Sequence, residues 1–285
     1  MANTGRPPLV AGLGALAGEY RALLCDVWGV IHDGLLAFPA ATAALARYRA
    51  AGGMVVLLTN APRPKGAVME QLDRLGVPRA AYDDIISSGE VARSLLATRG
   101  GVKVHHVGPE RDLPLYDDLD VRLVGEEECE LISCTGLVDD RSETPDDYLG
   151  SIARWRSRHL PMLCANPDIV VARGKDLVWC AGALAERYRE AGGETMVVGK
   201  PHAAIYALAE ARIGSGIRML AIGDGVDTDV RGAVQAGIDV VFVTDGIHAA
   251  AFGPHDRPDI AAVHAFLDEA GLGAHALMVR LAWDH

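Results

Sequence analysis

Positive charge is scarce in this 285-residue chain: 27 Lys and Arg stand against 38 Asp and Glu, a formal charge of −11. That field would repel a nucleic-acid backbone or an anionic membrane surface, so neither is expected as a partner. An anionic substrate would need local cations, or a bound metal ion, to be held. Cysteine is scarce too. Cys25, Cys129, Cys134, Cys164 and Cys180 are odd in number and follow no CxxC spacing, which argues against metal clusters and a disulfide framework. Long apolar runs are missing: none approaches the roughly 18 residues of a membrane span. Pro7 to Gly18 is apolar but broken by proline and glycine after a single Arg6; it reads as a loose arm leading into a short helix, not as a signal peptide. Together these features point to the cytoplasm. Repeats and low-complexity tracts are absent from the sequence.

What is present is a core. Half the residues are hydrophobic and 23% are charged, a balance that excludes bulk disorder. Strand-like and helix-like stretches alternate almost throughout, as in a parallel sheet covered by helices on both faces. The organising stretch is Leu23 to Gly34, where an apolar run stops at Asp26 and the chain turns through glycine. A buried parallel strand delivers a carboxylate to the carboxyl edge of a sheet in this way. Further strands are expected at 54–58, 85–88, 195–199, 218–223 and 239–244, with helices at 40–51, 62–75, 90–98, 203–213, 229–236 and 260–270. Between Gly100-Gly101 and Gly192-Gly193 lies a second α/β stretch, with strands at 102–107, 130–135, 162–165, 169–172 and 177–180 and helices at 148–159 and 183–191. It is large enough for its own small core. The expected domains are therefore 1–100 with 194–285, and an inserted unit at 101–193.

Four strands end in complementary polar groups: Asp26, Thr59-Asn60, Lys200 and Asp224. In one parallel sheet these tips share an edge, and together they describe a phosphoryl-transfer site. Asp26 and Asp224 can share a hard divalent cation such as Mg²⁺, which prefers oxygen ligands. The remaining oxygen of Asp26 can then act as a carboxylate nucleophile, forming an aspartyl-phosphate. Thr59 and the Asn60 amide can donate to phosphate oxygens, and Lys200 offsets the negative charge. Asp229 can hold Lys200 or a metal-bound water, or serve only as an N-terminal helix carboxylate.

In these motifs the chain resembles the haloacid dehalogenase (HAD) superfamily. Asp26 to Val30, Leu57 to Asn60, Gly199 to Pro201 and Gly223 to Asp229 match its four motifs in order. The insertion resembles the C2-type α/β cap of subclass IIA, the NagD and 4-nitrophenylphosphatase branch, through Asn166-Pro167-Asp168 and Gly182 to Ala185. The resemblance implies a Rossmann-like doubly wound core with a cap, and a Mg²⁺-dependent phosphatase of small phosphorylated metabolites. It also implies a metal contact from the backbone carbonyl two residues after the nucleophile, here Trp28. The family's phosphatases carry an aspartate there as general acid and base. An indole exchanges no proton at neutral pH, so metal binding survives while proton transfer loses a group worth about 10²–10⁴-fold. His32 or Asp33 could substitute from the next loop, although His-Asp-Gly is also a good turn.

In the cap, Asn166, Asp168 and Arg173 could face the substrate, Trp155 and Trp179 read as core, and His105-His106 as surface. Arg63 reads as a solvated arginine. Two other readings stay open: a non-catalytic phosphate-ligand binding protein on this scaffold, and a metal-independent 2-haloacid dehalogenase. Neither the substrate nor the oligomeric state is specified, and a homodimer is allowed.

Overall fold

The computed structural model describes residues 6–284. In chain order the regular elements of the first half are β1 (Ala22–Cys25), α1 (Pro39–Ala50), β2 (Met54–Thr59), α2 (Lys65–Arg74), β3 (Asp84–Ser87), α3 (Ser88–Ala97), β4 (Val102–Val107), β5 (Val121–Leu123) and β6 (Leu131–Cys134). Then come α4 (Leu149–Ser157), β7 (Met162–Cys164), β8 (Val170–Arg173), β9 (Asp176–Trp179), α5 (Ala181–Glu190), β10 (Thr195–Val197) and α6 (Ala203–Ile213). The chain closes with β11 (Met219–Gly223), α7 (Arg231–Gln235), β12 (Asp239–Val243), α8 (Ile260–Glu269) and β13 (Ala276–Met278). Among the described residues two compact units result: 6–59, 69–86 and 206–284 form one, and 60–68 with 87–205 form the other. The expected insertion at 101–193 falls inside the second.

The first unit holds a six-stranded sheet in the order β13-β12-β11-β1-β2-β3. β1 runs parallel to both β11 and β2. Chain order reverses between β1 and β11, which makes the sheet doubly wound and puts its topological switch point there. Every residue of β1 is buried, the continuous apolar run that a strand covered on both faces requires. In the register, Cys25 lies beside both Ile222 of β11 and Leu57 of β2. Asp26, Asp224 and Thr59 therefore leave the sheet at one edge.

The second unit is built on a five-stranded sheet ordered β10-β7-β6-β4-β5, with the separate hairpin β8-β9. Its core gathers Trp155 and Tyr188 with residues of β4, β6 and β7. The helices begin where their sequences say they should. Ser87 caps α3 in a reciprocal capping box with Glu90, and Asp259 accepts from the Ala261 and Ala262 amides at the start of α8, so first-turn amides left without helical partners are satisfied.

Several expectations are corrected. The segment from Pro7 is not a loose arm: Leu9 bridges to Leu277, and short 3₁₀ turns follow at Leu13–Ala15 and Ala17–Glu19. The three-residue strands β5 and β13 were not anticipated, being too short to show a period. Trp155 is core, but Trp179 is 39% exposed because it lies on the outer side of the β8-β9 hairpin. The expected helix from Asp229 starts only at Arg231; residues 226–230 form a wide π-type turn.

Candidate active site

At the switch point of the first unit, β1 and β11 hand over directly to Asp26 and Asp224. With Asp229 they form a cluster in which one carboxylate oxygen from each lies within 4.8 Å of the others. All three are buried. Backbone donors fix two of them. The Ile247 amide donates to Asp224 Oδ2 at 2.8 Å, and the Gly225 amide to Asp229 Oδ2 at 3.1 Å. Asp229 reaches the cluster through the wide turn: the amides of Asp229 and Val230 both donate to the Gly225 carbonyl, at 2.9 and 3.1 Å. The alternative role of Asp229 as a plain helix-start carboxylate thus gives way to membership of the cluster.

Glycines make room for these carboxylates. A Cβ at Gly29, whose φ is +82°, would fall 2.1 Å from Asp224 Oδ2, and one at Gly246 would fall equally close. A Cβ at Gly223 would lie 2.2 Å from Asp229 Cγ. Gly246 and the Ile247 amide escape sequence reasoning, because a backbone donor carries no side-chain signal. His248 escaped it as well. Its Nε2 accepts from the Val226 amide at 3.3 Å, and burial holds its pKa below the usual range although Asp227 and Asp229 pull it up.

The loop after Asp26 is tightly folded. The Gly29 amide donates to the His32 carbonyl at 2.8 Å. The half-buried Trp28 ring meets the His32 ring edge-on at 5.0 Å and lies so close to Gly34 that a Cβ there would sit 2.4 Å from Trp28 Cζ2. His32 is buried, and its Nδ1 accepts from the Gly34 amide at 3.0 Å. Asp33 Oδ1 accepts from the Leu35 and Leu36 amides, both at 2.8 Å. Its burial raises the pKa, but these amides outweigh it and hold the carboxyl below its ordinary range. His32 and Asp33 therefore both accept turn amides, and a His32 imidazolium would have to give up its bond from the Gly34 amide.

In the second unit, Lys200 follows β10 and is buried. Asn60 is spent on it: Asn60 Oδ1 accepts from the Lys200 amide at 2.7 Å, while Nδ2 donates to the Lys200 carbonyl at 3.3 Å and to Asp168 Oδ1 at 2.8 Å. Both N–H bonds of that amide have protein acceptors, which corrects its expected use on phosphate oxygens. Asn166 Oδ1 accepts from the Asp168 amide at 3.1 Å. Arg173 pairs with Asp140 at 2.9 Å, and Arg111 shares the same carboxylate. Arg63 is not solvated: its side chain is 13% exposed and sits 3.4 Å from Asp112. Asp112 also faces Thr135, Arg111 and Asp140; burial pushes its pKa up to about 6 against the pull of Arg63 and Arg111. His106 donates to or accepts from Thr135 Oγ1 at 2.9 Å, and burial with the neighbouring His105 lowers its pKa to about 4.

The donor set at the switch point is all oxygen, anionic and buried, and three carboxylates so close repel unless a cation lies among them. That composition fits a hard divalent ion.

Comparison with known proteins gives a consistent picture. Residues 23–122 match a family model described as haloacid dehalogenase-like hydrolase, and residues 197–269 match one described as HAD-hydrolase-like. The crystal structure of a hydrolase of the haloacid dehalogenase-like family from Brucella suis is 46% identical and covers 96% of this chain and 100% of that one, with a TM-score of 0.85. D-glycerol 3-phosphate phosphatase of Mycobacterium tuberculosis is 27% identical over 244 residues; the match takes in 83% of this chain and 66% of that relative, just under two thirds of its length. A crystal structure of a glycerol phosphate phosphatase from Mycobacterium tuberculosis in complex with calcium is 25% identical, covering 87% of this chain and 76% of that one, with a TM-score of 0.64.

Proposed function

This chain belongs to the haloacid dehalogenase-like hydrolase family, and from that premise we propose that it is a Mg²⁺-dependent phosphatase of small phosphorylated metabolites. The observation that carries the reading is the buried trio Asp26, Asp224 and Asp229 at the switch point of the first sheet. A divalent ion would be held by Asp26, Asp224 and the Trp28 carbonyl, with Asp229 supporting; when bound it neutralises phosphate charge and acts as a Lewis acid. The calcium in the Mycobacterium tuberculosis structure supports a divalent ion of this type. Names of relatives favour a small polyol phosphate as substrate.

The chemistry then belongs to the chain's own residues. The free carboxylate oxygen of Asp26 attacks phosphorus, the bond to the ester oxygen breaks, and the electron pair leaves with that oxygen. Lys200, from the third motif, supplies positive charge to the transferring group, and Thr59 donates to it. Water then cleaves the acyl-phosphate, releasing inorganic phosphate and restoring Asp26. Trp28 adds no proton at either step, while His32 Nδ1 and Asp33 Oδ1 accept amides of the turn. Turnover is accordingly modest, and best for esters whose oxygen departs as a weakly basic anion.

The alternative of a phosphate-binding protein without turnover rests on the same Trp28. The two separate on one experiment: a phosphate-ester panel assayed with Mg²⁺ and with EDTA, on the wild type and on Asp26→Asn. Mg²⁺-dependent release of phosphate that Asp26→Asn abolishes supports the phosphatase. Undiminished release from Asp26→Asn would overturn the covalent mechanism, and no release with retained phosphate binding would leave the binder. Among the described residues no helix is long and apolar enough to cross a membrane. A cytoplasmic setting accords with five buried cysteines that form no disulfide.

A further inference from the structure

Asp168 sits in the Asn166-Pro167-Asp168 loop, the position in the cap where a substrate contact would first be sought. Its hydrogen bonds point elsewhere. Asp168 Oδ1 accepts from Asn60 Nδ2 at 2.8 Å, and Asn60 holds both the amide and the carbonyl of Lys200. We propose that Asp168 is a positioning residue, which fixes the main chain of Lys200 by fixing the polarity of the Asn60 amide.

The physical argument turns on amide symmetry. The oxygen and nitrogen ends of an Asn side chain have nearly the same shape, so only hydrogen bonding decides which end faces which partner. Lys200 already favours one end, since Oδ1 takes its amide at 2.7 Å, but the Nδ2 bond to its carbonyl is long, at 3.3 Å. A flipped amide would set Nδ2 against the Lys200 N–H and lose that contact. A carboxylate at Asp168 accepts only from a donor, and a charge-assisted hydrogen bond is about twice as strong as a neutral one. Asp168 thereby gives Nδ2 a second, shorter and charged acceptor, and penalises the flipped state further.

The surroundings make this lever stiff. Asp168 is held by Asn166 Oδ1 on its amide, and its carbonyl accepts from the Gly182 amide at 3.1 Å at the start of α5. A Cβ at Gly182 would fall 2.5 Å from that carbonyl oxygen. Beside Lys200, Gly199 (φ +99°) is enclosed: a Cβ there would lie 2.6 Å from Asn60 Oδ1, 2.7 Å from Ser88 Oγ and 2.9 Å from Pro167 Cδ. Ser88 Oγ donates to the Val198 carbonyl at 3.0 Å. The segment 198–200 is thus clamped by Ser88, Pro167 and Asn60, and of these only Asn60 has a polarity that can be set wrongly.

This inference rests on the proposed role of Lys200, and its test separates the two. The full-length variants are Asp168→Ala, Asp168→Asn, Asn60→Asp and the swap Asn60→Asp with Asp168→Asn. Each is assayed with 4-nitrophenyl phosphate and glycerol 3-phosphate, by stabilisation with inorganic phosphate, and by melting temperature. Asp168→Ala should lower kcat about tenfold, the scale of one lost charged hydrogen bond, and equally for both leaving groups. Asp168→Asn keeps an acceptor oxygen but is neutral and can also present a donor, so it should recover only part of that loss. Asn60→Asp sets two carboxylates together and should do worst; the swap restores a donor facing a carboxylate and should rescue part of the loss, the Lys200 carbonyl still lacking its donor, a coupling that independent sites do not show. Asp168→Asn as damaging as Asp168→Ala, a loss confined to one leaving group, or a swap no better than Asn60→Asp would each overturn the proposal. If the wild type neither turns over nor binds phosphate, the phosphatase reading fails by itself. The rescue by the swap is then read in melting temperature, where its absence still sinks the inference.

Discussion

Asp26 and Asp224 follow the last residues of adjacent parallel strands in a register that pairs Cys25 with Ile222, and the Asp26 amide donates to the Ile222 carbonyl at 2.8 Å. Sheet hydrogen bonding itself therefore sets the spacing of the two carboxylates, with no flexible loop between them. A site fixed by ladder geometry is preorganised, and it stores the repulsion of its own charges.

That repulsion makes the first prediction one of linkage. Mg²⁺ at millimolar concentration should raise the melting temperature, since an ion that binds only the native state stabilises it by mass action. Asp229→Asn should reduce the shift. A melting temperature indifferent to Mg²⁺ would remove the case for the metal site.

Gly29 should tolerate no side chain. Its φ of +82° strains any other residue, and an added methyl would fall 2.1 Å from Asp224 Oδ2. Gly29→Ala should abolish Mg²⁺ stabilisation, whereas Gly52→Ala, at φ +90° with nothing within 4 Å, should cost backbone strain alone, about 1 kcal/mol. Equal behaviour of the two variants in a Mg²⁺ melting series would contradict this assignment.

Trp28→Asp should install the missing acid and base while keeping the backbone carbonyl. Turnover of alkyl phosphates should rise at least about tenfold, a cautious part of the usual contribution. The ring packs on Gly34 and His32, so stability must be followed by urea unfolding alongside. A folded variant that binds Mg²⁺ and gains nothing would show that the substrate or another residue already serves.

Asp112 makes stability fall as pH rises. Its folded pKa of about 6 lies above the unfolded value of about 3.9. Below about pH 4 the carboxyl is protonated in both states and no penalty exists. Above it the unfolded chain ionises more readily, and the native state loses about 3 kcal/mol once pH is above 6. Asp112→Asn keeps an acceptor for Thr135 and should be flat over this window. The two urea midpoints should therefore diverge between pH 4 and 7; parallel curves would refute the shift.

Much of this was legible beforehand. β1 announces itself because a strand buried on both faces must be apolar throughout, so Asp26 stands out as the residue that ends it. Asp224 after Gly223 reads in the same way. Asn60 was read only as far as its type: its partners lie 108 and 140 residues further along the chain, and no local pattern reports them. Asp229 was ambiguous because its place depends on two amides sharing the Gly225 carbonyl, a backbone event that many sequences permit. Arg63 looked solvated because long cations usually are; its burial beside Asp112 follows from packing within the second unit.

The wide turn at 226–230 also acts as a phase shifter. An α-helix advances about 100° per residue, and one residue too many in a turn rotates everything after it by that angle. Here the surplus residue lets Asp229 face Asp224 while α7 still presents Gly232 and Ala233 to the interior. Shortening the segment by one residue would leave composition and hydrophobicity almost untouched and put carboxylate and helix out of step. Alignments that open a one-residue gap here would be comparing different faces of the same helix.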